Sequence, residues 1–317
     1  MNTINSIKSE QPETTMGVFR TQNLMWKRGR GGQKYLSLEL EDATGVLTAY
    51  SLISDQQCKD ALVQNKRMLC RIRLHYRSTG IIAEILSATA WVSGATNPLT
   101  LIPQRRCPIP DALLKLSEFR EKLSNHHLQH FVDRVLQQDD IAFSFISAPA
   151  SLNHHHNEPG GLLVHSLECA EIVGRLGSEH QAILELGQVA ALFHDIGKIK
   201  TLTHQMKRTQ LGFVVDHNAL ALEILAPALS QLERRWPDGA TTLRYLLTWH
   251  HHPKPGTPLM VMAEVVRSAD RISSGQSIQD KAFSEAMPWQ NGAKLMDLPN
   301  PQRFWRPRQL PQQEVRS

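Results

Sequence analysis

Residues 35–52 read YLSLELEDATGVLTAYSL, and this stretch predicts two neighbouring β-strands joined by a turn. Apolar and polar side chains alternate with period two over its first six residues, which is the pattern of a half-buried strand. Gly45 provides the permissive backbone of a tight turn, and Val46–Tyr50 returns as the second strand. Similar strand patterns occupy 18–20, 67–76 and 81–92, with a short helix at 55–64 before the fourth strand. Five short strands and one helix predict a small closed β-barrel.

The rest of the chain predicts helices. From Asp111 the spacing of apolar residues changes to a helical period, with Leu113, Leu116 and Phe119 on one face. Further helical patterns occur at 125–138, 162–176, 180–194, 217–233, 239–251 and 258–273. We therefore predict a multidomain protein with α and β parts, a small barrel followed by an all-helical domain. The predicted boundaries are a disordered N-terminus at 1–15, the barrel at 16–95, a linker at 96–112, the helical domain at 113–285 and a loose tail at 286–317.

The composition is that of an ordinary globular protein. Hydrophobic residues make up 41% of the 317 residues and charged residues 21%. No run of about 18 apolar residues occurs, so no segment is predicted to cross a membrane. The polar N-terminus lacks an apolar signal core and the four cysteines form no C-x-x-C pair, which predicts a cytoplasmic protein with reduced thiols.

Positive charge is concentrated in two segments of the predicted barrel. The formal net charge is +5, and neither 17–35 nor 66–77 contains an acidic residue. Basic side chains follow a phosphate backbone and aromatic rings stack on bases, so the barrel is predicted to bind single-stranded nucleic acid. The candidate contacts are Trp26, Lys27, Arg28, Arg30, Lys34, Tyr35, Arg71, Arg73 and Tyr76. The alternative is that the arginines form a solvated face and Tyr35 packs in the core.

Histidine is concentrated in the helical part, where 11 of the 15 histidines lie between His154 and His252. Imidazole together with carboxylate favours divalent Mn, Fe, Zn or Ni over Ca or Mg. His194 and Asp195 are neighbours at the end of the apolar segment GQVAALF, so both side chains can reach one cavity. The candidate metal ligands are His165, His194, Asp195, His217, His250, His251 and Asp270. In the segment WHHHP at 249–253, the ligand pair can be His250 with His251 or His251 with His252, and the first pair is preferred.

These ligands predict metal-assisted hydrolysis, and the resemblance of HDIGK at 194–198 to the HD phosphohydrolase superfamily implies attack at phosphorus. A divalent ion lowers the pKa of water, and a second ion about 3.5–4 Å away would clamp the phosphoryl oxygens. Asp195 is the candidate bridging carboxylate that orients the nucleophile, and Lys198 the candidate group that neutralises charge on the phosphate. His155 and His156 are candidate contacts to substrate phosphate, the alternative being a merely polar loop.

Two motifs resemble known families. The L-x-D-x-x-G pattern within 35–52 resembles the OB-fold signature, and HDIGK at 194–198, in the order H…HD…H…HH…D, resembles the HD phosphohydrolase superfamily. Together they resemble the YhaM-type 3′-5′ exoribonucleases over 16–275, with His155 and His156 at the paired-histidine position of that family. The resemblance implies single-stranded RNA, or DNA, as substrate. It implies Mn²⁺ as cofactor, as one or two ions, with Fe, Zn, Ni and Mg as alternatives.

Other hypotheses use the same residues differently. The segment PASLNHHHNEPGGLLVHSLECA, at 149–170, also resembles the TraI-type HD domain of conjugative relaxases. A nucleotidase or phosphodiesterase acting on small nucleotides would use the metal site and leave the barrel without a role. A nucleic-acid module with a structural metal site would bind without turnover. A homo-oligomer is compatible with each hypothesis.

Overall fold

The computed structural model describes residues 2–52, 62, 66–91, 97–152, 156–177, 180–248, 256, 258–295 and 302–307. The chain forms two compact units. The first unit comprises Met1–Ser117 and Asp133–Phe143, and the second comprises Glu118–Val132 and Ser144–Ser317. Within the described ranges, no helix is both long and apolar enough to cross a lipid bilayer.

The first unit contains a closed five-stranded barrel, which confirms the predicted OB-type architecture. Its strands are β1 (Thr14–Arg28), β2 (Lys34–Asp42), β3 (Gly45–Ser51), β4 (Arg67–Arg77) and β5 (Gly80–Ala90). They are hydrogen-bonded in the order β1-β2-β3-β5-β4, and β1 closes the barrel against β4. Strands β3 and β5 are parallel, and the other pairs are antiparallel.

The period-two pattern of β2 accounts for the barrel core. Leu36, Leu38 and Leu40 are buried in that core, whereas the residues between them are partly exposed. The turn into β3 is held by Asp42, whose Oδ1 atom accepts hydrogen bonds from the backbone N–H groups of the next turn residues. The helix predicted at 55–64 lies outside the described residues, apart from the buried residue at position 62.

The N-terminal segment is ordered, so the prediction of disorder over 1–15 is wrong. Helix α1 (Ile4–Glu10) begins with a side-chain capping box. Ile4 and Ile7 are fully buried in the barrel core, and the Ile4 N–H donates to Asp42 Oδ2 at 2.7 Å. Two isoleucines three positions apart share one helix face, and their burial anchors a segment that is otherwise polar.

The segment predicted as a linker, 96–112, packs within the first unit. Leu99 and Leu101 are buried. The backbone N–H of Ala43 donates to the carbonyl oxygen of Thr100 at 3.0 Å. The prolines of this segment are interspersed with apolar residues that need burial, so it forms short 3₁₀ turns instead of a free connection.

The helical part confirms the predicted all-helical domain. Its helices are α2 (Pro110–Lys122), α3 (His126–Leu136), α4 (Asp139–Ser147), α5 (Gly161–Leu176), α6 (Gln181–Phe193), α7 (Lys198–Thr201), α8 (Gln210–Val214), α9 (His217–Arg235), α10 (Pro237–Thr248) and α11 (Val261–Phe283). The long helices lie where apolar residues repeat with a helical period, whereas α7 and α8 are too short for that signal. Helix α6 packs against α5, α10 and α11 in the second unit.

The C-terminal segment, predicted to be loose from 286 on, contains a small sheet. Strands β6 (Gly292–Leu295) and β7 (Gln302–Trp305) pair in antiparallel fashion. The Arg306 guanidinium lies 4.2 Å from the centroid of the Phe283 ring at the end of α11. The prediction is therefore wrong for these two strands, because the contact that anchors them joins residues that are distant in sequence.

Candidate metal centre and nucleic-acid interface

Three helices of the second unit bring imidazole and carboxylate groups together. His165 lies on α5, His194 and Asp195 follow the end of α6, and Asp270 lies on α11. The His165 Nε2 atom is 3.5 Å from Asp195 Oδ2 and 3.2 Å from Asp270 Oδ1. The His194 Nε2 atom is 3.4 Å from Asp195 Oδ2 and 3.7 Å from Asp270 Oδ1. Four predicted ligands therefore face one another across one small space.

His217 begins α9 and faces the other oxygen of Asp195. Its Nε2 atom is 3.1 Å from Asp195 Oδ1, so the two carboxylate oxygens face different imidazoles. Gly197 permits this approach, because a Cβ at that position would lie 1.8 Å from the His217 carbonyl oxygen. Backbone packing thus explains the glycine of the HDIGK motif.

Burial and opposite charges compete in the centre. Burial would raise the pKa of Asp195, but the charges of His194 and Lys198 outweigh it and hold that pKa well below its usual value. Burial likewise opposes charge on His194, but Asp195 and Asp270 raise the pKa of its imidazole to about 10. The Lys198 Nζ atom donates to Asp195 Oδ2 at 2.5 Å. The Asp195 carboxylate therefore stays ionised and attracts cations.

The donor set fits a divalent cation. The His194 Nε2 atom is buried and has no hydrogen-bond partner among the residues that the structure describes. A divalent ion would take the place of the proton on this nitrogen and supply the missing partner. Donor atoms of His165, Cys169, His194 and Asp270 all lie within 4.8 Å of one another. Imidazole and carboxylate donors suit transition-metal ions better than Ca²⁺.

Cys169 is a member of this cluster that the sequence patterns did not indicate. Its Sγ atom lies 3.7 Å from His165 Nε2, and burial raises the pKa of its thiol. Cys169 follows His165 by four positions on α5, so the two side chains share one helix face. That spacing was the signal available in the sequence.

Part of the predicted site, namely His155, His250 and His251, lies outside the described residues. His156 is described, and its Nε2 atom lies 3.0 Å from Glu168 Oε2. This nitrogen has a carboxylate partner within the protein, and a contact of His156 with substrate phosphate stays a prediction.

A cavity of about 410 Å³ opens beside the centre. Lys198 and His217 line it from the side of the centre, and Arg208, Ser151 and Thr201 line it elsewhere. Its volume lies within the range of about 300–1,000 Å³ that is typical of small-molecule sites. Lys198 and Arg208 outnumber Asp216, the acidic residue of the lining, and this balance favours an anionic occupant.

The predicted nucleic-acid residues near the β1–β2 turn fall on two faces. Lys27 is paired with Tyr35, and both residues lie on the face of the sheet opposite to that of the buried Leu36. Trp26 is paired with Leu36 and shares its phase, and its side chain is exposed at the end of the hairpin. The remaining members are Arg28 and Lys34, which pair with each other, and Arg30, which lies in the turn.

The predicted residues on β4 also differ in direction. Arg71 and Arg73 are exposed and alternate with buried neighbours, so they point away from the barrel core. Tyr76 has the phase of the buried Leu74, and its hydroxyl donates to the carbonyl oxygen of Pro12 at 2.7 Å. Tyr76 therefore does not share the outer face with the two arginines.

An aromatic row crosses the outer face of the barrel between these segments. The ring centroids of Tyr35 and Tyr50 are 6.4 Å apart, and those of Tyr50 and His75 are 6.1 Å apart at an angle of 22°. Arg73 lies beside the row and forms an ion pair with Glu84 at 3.2 Å. The sequence patterns did not indicate Tyr50 or His75, because the barrel register brings them beside Tyr35.

The helical unit that carries the His–Asp centre matches a known domain family. Residues 162–275 match the HD domain family, a span that includes His165, Asp195 and Asp270. The chain therefore carries an HD domain. HD domains bind divalent metal ions, and the described donors form a cluster suited to one.

Over a longer span the chain is similar to proteins named 3′-5′ exoribonuclease YhaM. It is 23% identical over 285 residues to the one from Listeria monocytogenes serotype 4b (strain F2365), a match covering 85% of this chain and 88% of that relative. It is 25% identical over 206 residues to the one from Shouchella clausii, covering 62% of this chain and, at 63%, less than two thirds of that relative. It is also 26% identical over 142 residues to the dihydroneopterin 2′,3′-cyclic phosphate phosphodiesterase of Methanocaldococcus jannaschii, covering 43% of this chain and 55% of that relative.

Proposed function

We propose that this chain is a metal-dependent 3′-5′ exonuclease that hydrolyses the phosphodiester bonds of single-stranded RNA, with single-stranded DNA as a second substrate. The convergence of His165, His194, Asp195 and Asp270 beside a cavity that Lys198 and Arg208 line carries the proposal. The HD domain supports phosphohydrolysis. The similarity to proteins named 3′-5′ exoribonuclease YhaM supports RNA as the substrate and the 3′ end as the point of attack.

The proposed cofactor is Mn²⁺, as one or two ions, with Fe, Zn, Ni and Mg as alternatives. The residues that would hold the ions are His165, His194, Asp195, His217 and Asp270, which the structure describes. His250 and His251 are added to this set from the sequence pattern. When bound, such ions supply Lewis acidity, which lowers the pKa of water and stabilises negative charge on phosphoryl oxygens.

The side chains around the ions would orient the reacting groups. Asp195 is ionised and buried, so its carboxylate accepts a hydrogen bond from the attacking water and aims it at phosphorus. Lys198 contacts Asp195 and also lines the cavity, where its ammonium group neutralises charge that develops on the phosphate. Arg208 in the same lining would hold the phosphate of the departing nucleotide. His155 and His156 are the proposed contacts to the neighbouring phosphate.

The barrel would hold the single strand. Tyr35, Tyr50 and His75 offer ring faces for bases, and Lys27 and Arg73 offer charge for phosphates. Trp26, Arg28, Arg30, Lys34, Arg71 and Tyr76 stay predicted contacts. A cytoplasmic location and a homo-oligomer also stay predictions.

Degradation of 5′-labelled single-stranded RNA in the presence of Mn²⁺ tests the function. The wild-type protein should produce a ladder that shortens from the 3′ end. Asp270→Asn should abolish the ladder, whereas Asp280→Asn, which changes an exposed residue of the same helix, should not. Absence of a ladder under conditions in which a generic phosphodiester is hydrolysed would contradict the proposal.

A phosphodiesterase that acts on small cyclic nucleotides is the second candidate. The cavity of about 410 Å³ and the similarity to the phosphodiesterase from Methanocaldococcus jannaschii favour it. Tyr50→Ala separates the two functions, because it removes a ring from the barrel and leaves the metal centre intact. Hydrolysis of RNA should fall while hydrolysis of a 2′,3′-cyclic mononucleotide is unchanged. Activity confined to mononucleotides would favour the second candidate.

A further inference from the structure

A chain of hydrogen bonds leads away from the side of His165 that is opposite to the metal centre. The His165 Nδ1 atom lies 3.0 Å from the Ser273 hydroxyl, and that hydroxyl donates to Glu168 Oε2 at 2.7 Å. The same carboxylate oxygen accepts a hydrogen bond from His156 Nε2 at 3.0 Å. His165 and Ser273 are fully buried, so water competes little for the bond between them. Two residues without an assigned role thus link two candidate site residues.

The direction of these hydrogen bonds determines which nitrogen of His165 carries a proton. Glu168 Oε2 accepts hydrogen bonds from both the Ser273 hydroxyl and the His156 ring, which is the role of an ionised carboxylate. Ser273 has one hydroxyl proton and donates it to Glu168. Its oxygen must therefore accept from the Nδ1–H group of His165. The Nε2 atom, which faces the carboxylates of the centre at 3.2 and 3.5 Å, is therefore the nitrogen of His165 that is available to a metal ion.

We propose that Glu168 and Ser273 are positioning residues, which hold His165 in its Nδ1-protonated tautomer and thereby set the affinity of the centre for a divalent ion. The proposal rests on the proposed role of His165 as a metal ligand. A hydrogen-bond acceptor on the second nitrogen fixes the orientation of a metal-binding histidine and makes it more basic. Loss of such a partner typically costs about 10–100-fold in metal affinity or activity.

The hydrogen-bonded chain that starts at His165 ends at His156, whose position is held by the backbone around it. This residue has a φ of 47°, and its carbonyl oxygen accepts a hydrogen bond from the N–H of Ala150 at 3.0 Å. Gly161 makes room for the loop, because a Cβ there would lie 2.2 Å from the same carbonyl oxygen. The fold therefore keeps the imidazole of His156 against Glu168, and the series of hydrogen bonds from His165 to His156 is preorganised at both ends.

The dissociation constant of the metal-stripped, full-length protein for Mn²⁺, measured by chelator competition, tests the proposal. Glu168→Gln and Ser273→Ala should each weaken Mn²⁺ binding about 10–100-fold. Glu171→Gln is the matched control, since Glu171 is an exposed residue of the same helix that pairs with Arg175 at 2.7 Å. The control should change the constant by less than about twofold. Wild-type affinity in both Glu168→Gln and Ser273→Ala would overturn the proposal.

A second readout separates positioning from general damage to the fold. Glu168→Gln keeps the size of the side chain, and 42% of the Glu168 side chain is exposed, so its metal-free form should unfold within about 4 °C of the wild-type temperature. Excess Mn²⁺ should restore kcat on single-stranded RNA with an unchanged KM. A loss of Mn²⁺ affinity that comes with an equivalent loss of metal-free stability would overturn the proposal. The Mn²⁺-binding experiment uses no RNA. If the variants bind Mn²⁺ more weakly as expected but the wild-type protein does not degrade RNA, the proposed function is contradicted and the positioning role is not.

Discussion

Replacing Asp139 by asparagine should destabilise the first unit and make its stability less sensitive to acid. Asp139 Oδ2 accepts a hydrogen bond from Arg20 Nη1 at 2.5 Å, and Oδ1 accepts from Arg20 Nη2 at 2.9 Å and from Arg67 Nη2 at 2.5 Å. The Arg20 side chain is fully buried, and 32% of the Asp139 side chain is exposed. The variant would leave a buried guanidinium group facing a neutral amide.

The size of the effect follows from this partial burial. Breaking a fully buried ion pair costs about 3–5 kcal/mol. Solvent screens part of the interaction at Asp139, so we expect a loss of about 2–3 kcal/mol in the free energy of unfolding near neutral pH. Such a loss should lower the thermal midpoint of the first unit by roughly 5–10 °C. Asp140→Asn is the control, because Asp140 is exposed in the same helix turn and should lose the helix-dipole contribution of about 0.3–1 kcal/mol.

The pH dependence checks the sign of the effect. Burial would raise the pKa of Asp139, but Arg20 and Arg67 outweigh it and lower that pKa. A carboxyl group with a lowered folded-state pKa stabilises the fold above its unfolded value of about 3.9, and this contribution is lost as pH falls through the folded value. Urea unfolding should therefore show the largest difference between wild type and Asp139→Asn at about pH 6–7, and a shrinking difference below about pH 4. Equal losses in Asp139→Asn and Asp140→Asn at neutral pH, or a difference that grows on acidification, would refute the reasoning.

Three further changes test other parts of the molecule. Tyr50→Ala should weaken binding of a single-stranded oligonucleotide, measured by fluorescence anisotropy, by about 1–3 kcal/mol for one lost base stack. Gly197→Ala should destabilise the second unit by about 1–3 kcal/mol in urea unfolding, because its Cβ would meet backbone at 1.8 Å. Gly275→Ala has no atom within 4 Å of the new Cβ and should be neutral or stabilising by about 1 kcal/mol. Ile7→Ala should cost the first unit about 2–5 kcal/mol, and an unchanged unfolding curve would contradict the burial of this helix.

The architecture was predictable where a pattern repeats within a few residues. The alternation around Leu38 indicated a half-buried strand, and the apolar segment before His194 indicated a helix. The N-terminal helix was missed because two isoleucines determine it, and their partners are barrel residues such as Asp42, 38 positions away. The β6–β7 pair was missed for a similar reason, since Arg306 contacts the Phe283 ring across the hairpin. Contacts of this kind leave no periodic signal.

The same distinction applies to the candidate site. The order of histidines and aspartates along the chain indicated His165 and Asp270, and the structure brings these two within 3.2 Å. Glu168 and Ser273 were not indicated, because their hydrogen bond joins positions 105 residues apart. The position of Tyr50 beside Tyr35 depends on the register of the barrel strands, which one sequence does not specify. The chemistry was thus predictable from residue types in order, and the groups that orient it were not.

The release of nucleotides from the 3′ end of single-stranded RNA, followed while Mn²⁺ is titrated into metal-stripped protein, tests the central claim most directly. The wild-type rate should rise from background in proportion to the occupancy of the centre. Asp195→Ala removes the carboxylate whose two oxygens face His194 and His217. The rate of nucleotide release by this variant should stay below the wild-type rate by about two orders of magnitude or more at every Mn²⁺ concentration. A wild-type rate that does not depend on the metal, or an Asp195→Ala protein that releases nucleotides as fast as wild type, would contradict the claim.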